Sequence, residues 1–130
     1  MGYYFSTILN EKDFEKAIEK VTLELKNEGF GILTEIDITQ TLKNKLGVDF
    51  KKYRILGACN PPAAYEALTH EEKIGLFLPC NVVVLENENG EIEVAAVDPV
   101  ASMIAVENEK LASVAQEIQQ KLKNAIEKLG

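Results

Sequence analysis

The sequence predicts an α+β fold, a two-layer sandwich in which a mixed or antiparallel sheet of about five strands packs with helices. Three observations lead to this prediction. Apolar residues recur at helical spacing near both ends of the chain, over residues 14–25 and 111–129. Short runs typical of strands lie before and between these helices. An Asn89-Gly90 pair joins two such runs directly, which favours a hairpin over a purely parallel sheet. The expected element order is β-α-β-α-β-α-β-β-α.

The first strand is predicted over residues 3–7, and a helix is expected to begin at an Asn10 cap. Asp13 stands where the reciprocal partner of a capping box would be. Gly29 is expected to end this helix in the left-handed conformation, with Phe30 folding back onto it. The inward face of the helix is predicted to consist of Phe14, Ala17, Ile18, Val21 and Leu25.

A second strand is predicted over residues 31–38, and a third over residues 53–59. Between them, a helix is expected to begin at Asp37 or Thr39 and to end at Gly47. The residues expected on one side of the strand are Ile32, Thr34, Ile36 and Ile38, and those facing inward from the helix are Leu42 and Leu46.

A third helix is predicted to begin at Pro61, directly after an Asn60 cap, with Tyr65 and Leu68 facing inward. Residues 69–72 match a second capping box. The third helix is therefore expected to break and restart as a segment over residues 71–78.

Two further strands are predicted over residues 81–86 and 91–97, joined by the two-residue Asn89-Gly90 turn. That turn would pair Val84 with Ala95 and Val82 with Val97. Because residues 82–85 are apolar on both faces, their strand is expected to be central or covered.

The last helix is predicted over residues 107–129. Its apolar stripe consists of Leu111, Val114, Ala115, Ile118, Leu122, Ala125, Ile126 and Leu129.

Length and charge limit the possible functions. A chain of 130 residues is expected to form a single domain over residues 1–130. Its net charge of −7 argues against binding to nucleic acid or to an anionic membrane surface. No run approaches the roughly 18 apolar residues of a membrane span, and no secretory signal is visible. The expected location is the cytoplasm, where thiols stay reduced.

Each of two segments contains a Cys-Asn pair, and together they hold both cysteines of the chain. The first is Gly57-Ala58-Cys59-Asn60-Pro61-Pro62, and the second is Leu78-Pro79-Cys80-Asn81. If the broken third helix returns the chain to the end it left, the flanking strands are antiparallel and both segments share one edge of the sheet. The hairpin register would bring Asp98 and Pro99 to the same edge. An unbroken crossover would instead separate the two cysteines.

The chemistry of this edge allows three kinds of site. Cys59 precedes a helix N-terminus, which favours a thiolate and attracts anions. The assembly could bind a small anion, coordinate a soft metal ion through Cys59 and Cys80, or present a thiolate nucleophile. The candidate ligand-binding residues are Cys59, Asn60, Pro61, Pro79, Cys80, Asn81 and Asp98.

Structural explanations compete at each of these positions. Buried cysteines are often small apolar filler. Asn60 can act only as a cap, and Asp98 can cap a short segment over residues 100–104. His70 is expected to be a solvated loop residue. Two cysteines and one histidine fall short of a closed zinc site.

Three classes of function therefore stay open. The leading hypothesis is a non-enzymatic domain that binds a small ligand or a metal ion at the Cys-Asn segments, with no cofactor indicated. Its rival is a thiol-dependent enzyme or redox protein that uses Cys59. An interaction module would be favoured if the pocket is closed while an apolar face stays exposed.

A homodimer is also expected. The apolar surface of the helix stripes and of residues 82–85 is larger than one small sheet face can bury. Such surface is most often buried in a two-fold dimer. Alternatively, the second or third helix covers the other face within one chain.

The quoted Cys-Asn segments, together with Tyr53-Arg54-Ile55-Leu56, Ile74-Gly75-Leu76 and Val97-Asp98-Pro99 with Met103, resemble the small bacterial and archaeal family called domain of unknown function 302. The resemblance covers nearly the whole chain. Ile104 stands where a second methionine is common. The resemblance implies a compact α+β domain that often self-associates, and it carries no established activity. It adds weight to Cys59, Asn60, Pro61, Pro79, Cys80, Asn81, Asp98 and Pro99.

Overall fold

The structure, a computed structural model, describes residues 2–130 as five strands and five α-helices. The strands are β1 (Tyr4–Leu9), β2 (Gly31–Asp37), β3 (Tyr53–Cys59), β4 (Cys80–Glu86) and β5 (Ile92–Val97). The helices are α1 (Phe14–Asn27), α2 (Ile38–Leu46), α3 (Pro61–His70), α4 (Pro99–Met103) and α5 (Ala112–Leu129). Short 3₁₀ turns cover Glu72–Phe77, Ile104–Val106 and Glu109–Leu111. Within residues 2–130, every helix is too short or too polar to span a lipid bilayer.

The five strands form one sheet in the order β1-β5-β4-β3-β2, and every neighbouring pair is antiparallel. This confirms the α+β class with an antiparallel sheet. β4 lies at the centre of the sheet, as the apolar run over residues 82–85 predicts. β3 and β4 are antiparallel because the chain breaks after His70 and returns through the 3₁₀ turn Glu72–Phe77.

The predicted register of the β4–β5 hairpin is wrong by one residue. Val84 pairs with Val94, and Val82 pairs with Ala96. The Asn87 N–H donates to the Glu91 carbonyl beyond the last strand residues, which leaves a tight loop of three residues, 88–90. The Asn87 side chain supports this loop by accepting hydrogen bonds from the backbone N–H groups of both Asn89 and Glu91. Gly90 then takes the left-handed conformation, with φ of 77°, that a three-residue loop requires.

The hydrophobic core lies between one face of the sheet and helices α1 and α5. All five residues predicted to face inward from α1 are buried. The stripe predicted for the last helix is buried as well, apart from the half-buried Leu129. The opposing strand residues are Leu9, Leu56, Ala58, Cys80, Val82, Val84, Ile92, Val94 and Ala96.

The observed ends of the helices agree with some of the predicted caps and differ from others. Asp13, not Asn10, caps α1, since its side chain accepts from the Lys16 N–H at 3.0 Å. The predicted C-terminus of α1 is confirmed, because Gly29 has φ of 89° and the Phe30 N–H donates to the Leu25 carbonyl. Asp37 and Gly47 bound α2, and Asn60 caps α3, as predicted. The Thr69 hydroxyl bonds within α3, so the predicted second capping box does not form.

Several predicted inward residues lie elsewhere. A bulge between Ile32 and Thr34 reverses the alternation of β2, so Ile32 packs on the core whereas Thr34 and Ile36 lie on the other face. No residue of α2 is buried, and Leu46 is exposed. In α3, the small residues Ala63 and Ala67 form the face turned to the core. Tyr65 and Leu68 therefore point outward.

Among the described residues, no helix covers the face of the sheet opposite the core, and we call this face the open face. Apart from Gly57, its residues are exposed or half-buried. The register assigns to it Tyr4, Ser6 and Ile8 of β1, Glu93, Ala95 and Val97 of β5, Asn81, Val83 and Leu85 of β4, Tyr53, Ile55 and Gly57 of β3, and Thr34 and Ile36 of β2.

Candidate functional site

The structure brings the two Cys-Asn segments together at one edge of the sheet. Ala58 pairs with Cys80 across β3 and β4, so the ends of the two segments are neighbours. A cavity of about 10 Å³ lies between them. Its lining includes Cys59, Asn60, Pro79, Cys80, Phe30 and Ile118.

This cysteine cavity is too small for an organic ligand. A volume of about 10 Å³ holds at most one water-sized group. Cys80 is buried, and its burial, with a smaller contribution from Cys59, raises the pKa of the Cys80 thiol to about 11. Cys80 is therefore a neutral thiol at physiological pH and packs as a small apolar side chain.

Asn60 has a structural role at the edge of the cavity. Its side-chain oxygen accepts from the Ala63 N–H at 3.3 Å and caps α3. Its amide nitrogen donates to the Glu28 carbonyl at 3.4 Å, at the end of α1. With 6 % exposure, Asn60 is the one buried polar residue in the described part of the chain. Both ends of its amide are engaged in joining α1 to α3.

The other predicted site residues lie away from this cavity. Asn81 is exposed on the open face. The Asp98 carboxylate caps α4 by accepting from the Val100 N–H, and it also accepts from the Gln119 amide of α5, both at 3.0 Å. Pro61 opens α3 without lining the cavity. His70 is the exposed last residue of α3, in a helix and not in the loop that the sequence predicts.

No cluster of metal-binding side chains forms among residues 2–130. Groups of three or more His, Cys, Asp or Glu side chains that could hold a metal ion are absent there. Any metal ion at the cysteine cavity would have Cys59 and Cys80 as its only side-chain ligands of this kind.

A larger depression on the open face was not anticipated from the sequence. This tyrosine hollow has a volume of about 330 Å³. Ala95 and Val83 form its floor, and the side chains around them include Tyr3, Tyr4, Tyr53 and Glu93. The signal that could have found it is the alternation of β5, which puts Glu93 and Ala95 opposite the buried Ile92, Val94 and Ala96.

Two other hollows contain none of the predicted site residues. One, of about 380 Å³, lies between the α4 region and the start of α5 and is lined by Met103, Ile104 and Leu111. The other surrounds Arg54, whose guanidinium binds Glu15 and Glu35 at 2.8 and 2.9 Å. The charged side chains around this second hollow are therefore explained by ion pairs within the fold, without a ligand.

Comparison with known proteins identifies one family and a similar structure. The family described as "Domain of unknown function DUF302" matches residues 5–129. The chain is also similar to the crystal structure of an uncharacterized conserved protein DUF302 from Bacillus stearothermophilus, with 28% sequence identity and a TM-score of 0.92. The match covers 100% of both chains. No curated protein matches the chain.

Proposed function

The chain belongs to the family described as domain of unknown function DUF302, and we propose that it is a non-enzymatic binding domain that acts as a homodimer, joined through the open face of its sheet. The observation that carries this proposal is the contrast between a cysteine cavity of about 10 Å³ and an apolar sheet face that no helix of residues 2–130 covers. Large exposed apolar patches on a folded chain are characteristic of interaction surfaces.

The composition of the open face supports a second copy as its partner. Within residues 2–130, Glu93 is its only charged residue, although the chain carries a net charge of −7. The charges that would repel an identical chain therefore lie mostly elsewhere. Tyr4, Ile8 and Ile36 are 47%, 40% and 45% exposed. Burying them against the same face of another copy would gain hydrophobic free energy through a self-complementary two-fold interface.

Light scattering at micromolar concentration tests the proposal. We expect a mass near twice 14.4 kDa. Val83→Lys puts a charge at the centre of the open face and should give the monomer mass. The control Leu76→Lys changes a residue that is 83% exposed outside this face and should leave the dimer intact. A wild-type mass near 14.4 kDa, or a Val83→Lys dimer, contradicts the proposal.

A second candidate function is binding of one soft metal ion by Cys59 and Cys80. It is favoured by one observation, that both thiol residues line a cavity with room for a single small group. Thiolates prefer soft ions such as Cu(I). Because the pKa of Cys80 is raised, binding must release its proton, and apparent affinity should increase with pH.

Native mass spectrometry with Cu(I), Zn(II) and a panel of small anions tests this second candidate. We expect one Cu(I) per chain, lost in both Cys59→Ser and Cys80→Ser. Absence of Cu(I) binding by the wild type, or Cu(I) binding that is unchanged in the two serine variants, excludes the site. Binding of an anion instead, unchanged in the serine variants, would point to the N-terminus of α3.

A further inference from the structure

We propose that the tyrosine hollow of the open face binds a small organic ammonium ion, with the positive nitrogen at Glu93 and the apolar body over Ala95 and Val83. The inference extends the proposed function, because a second copy on the open face would turn this depression into an enclosed site.

Glu93 supplies the charge that selects a cation. It projects from the second strand of the sheet, between Ile8 on β1 and Leu85 on β4. Within the described part of the chain, its carboxylate takes part in no hydrogen bond or ion pair. A carboxylate among apolar neighbours is costly to bury without a partner of opposite charge. Association through the open face therefore favours a cation beside Glu93.

Tyrosine rings line the part of the hollow that would receive the apolar body of the ligand. Tyr3 and Tyr4 lie edge to face, with ring centroids 5.0 Å apart. The Asp98 N–H fixes the Tyr3 backbone by donating to its carbonyl at 2.8 Å. On the other side, the Tyr53 N–H donates to the Thr39 hydroxyl at 3.0 Å. Tyr4 pairs with Val97, four residues along β5 from Glu93, so the rings line the end of the hollow away from the carboxylate, where they can pack on the apolar body of the ligand.

The shape of the hollow sets the size of the ligand. Ala95 leaves the depression open, and Leu85 separates Glu93 from Tyr53 on the neighbouring strand. Those two residues are two strands apart, or roughly 10 Å. A volume of about 330 Å³ falls within the usual range for small-ligand sites. An ammonium ion carrying one aromatic or branched aliphatic group fits these dimensions.

NMR titration of the full chain with three matched probes tests the inference. The probes are phenethylammonium, the neutral 2-phenylethanol and the anionic 3-phenylpropionate. We expect phenethylammonium to shift the backbone signals of Glu93, Ala95 and Val83, and to bind at least about tenfold more tightly than the other two. Equal affinities, or shifts confined to the hollow beside α4 and α5, would overturn the inference.

Two variants test which side chains of the hollow contact the probe. Glu93→Gln keeps the shape of the hollow and should weaken phenethylammonium about tenfold while leaving 2-phenylethanol unchanged. Tyr4→Leu removes a ring at the other end of the hollow and should weaken phenethylammonium and 2-phenylethanol alike, by a few fold. Glu88→Gln, in the hairpin loop, is the matched charge control. An unchanged affinity in Glu93→Gln contradicts the site.

Light scattering on the same samples separates this inference from the proposed dimer. A dimer that does not discriminate among the probes overturns the ammonium site alone. A monomer that binds phenethylammonium through Glu93 supports the ammonium site and overturns the proposed dimer.

Discussion

At the residue scale, the two cysteines occupy unequal environments. Cys80 faces the core at 4% exposure, whereas Cys59, at the end of β3, is half-buried. Two residues that look equivalent in the repeated Cys-Asn pattern thus differ in accessibility. The half-buried Cys59 is the residue on which the thiol-enzyme hypothesis depends, whereas Cys80 behaves as packing.

Alkylation and pH dependence should report the burial of Cys80. Iodoacetamide at neutral pH should leave Cys80 unmodified until the protein is unfolded, because its thiol is neutral and covered. Since its folded pKa is raised to about 11, the stability linked to this thiol is present below its unfolded pKa of 9.0 and is lost as pH rises to about 11.

Urea unfolding measures that loss. Between pH 8 and pH 11, the free energy of unfolding of the wild type should fall by up to about 2 kcal/mol more than that of Cys80→Ala. Parallel pH profiles for the two proteins, or rapid alkylation of Cys80 in the folded state, would show that the thiol is accessible.

Asn60 should contribute more to stability than an ordinary helix cap. Asn60→Ala removes the cap of α3 and the donor to Glu28, in a buried position. We expect a loss of about 2 kcal/mol in the free energy of unfolding. Asp13→Ala removes only the exposed cap of α1 and should cost about 1 kcal/mol. If urea unfolding shows the same loss of stability for Asn60→Ala and Asp13→Ala, the hydrogen bond from Asn60 to Glu28 contributes nothing.

At the element scale, the β4–β5 hairpin determines which residues share the open face. Its three-residue loop depends on the Asn87 side chain and on the left-handed Gly90. A slip of one residue would exchange the buried and exposed sets of β5, which would move Glu93 toward the core. The loop therefore determines the composition of the tyrosine hollow.

Gly90→Ala should destabilise the hairpin, because φ of 77° is strained for any residue with a Cβ atom. We expect a loss of about 1 kcal/mol in thermal or urea unfolding. Gly75→Ala is the control, since Gly75 has no positive φ and nothing within 4 Å of its added Cβ. A loss in the control as large as in Gly90→Ala would refute this account of the turn.

At the scale of the whole molecule, the fold is one-sided. Helices α1 and α5 bury one face of the sheet, while no helix of the described residues 2–130 covers the open face. In the proposed dimer, folding and association are coupled. Each tenfold increase in protein concentration should then stabilise the folded dimer by about 1.4 kcal/mol.

Thermal unfolding over a hundredfold range of concentration checks this coupling. The midpoint should rise with concentration in the wild type and in Leu76→Lys, and it should stay constant in Val83→Lys. A constant wild-type midpoint would exclude a dimer that contributes to stability.

Elements that depend on local patterns could be predicted from the residues alone. The stripes of α1 and α5, the Gly29 terminus, the Asn60 cap and the central position of β4 follow from helical period, capping chemistry and a two-sided apolar run. The break after His70 also made β3 and β4 antiparallel, so that Cys59 and Cys80 came to the same cavity.

The space left between these elements depends on tertiary packing and could not be predicted from the sequence. A bulge in β2 and one added loop residue after β4 reversed or shifted the pairing, because side-chain period in a strand is 2 and one residue changes the face. Asp98 and Asn81 were separated from the cysteines by contacts to α5 and by strand alternation. The sizes of the cysteine cavity, about 10 Å³, and of the tyrosine hollow, about 330 Å³, depend on packing between distant segments. Local sequence patterns do not predict that packing.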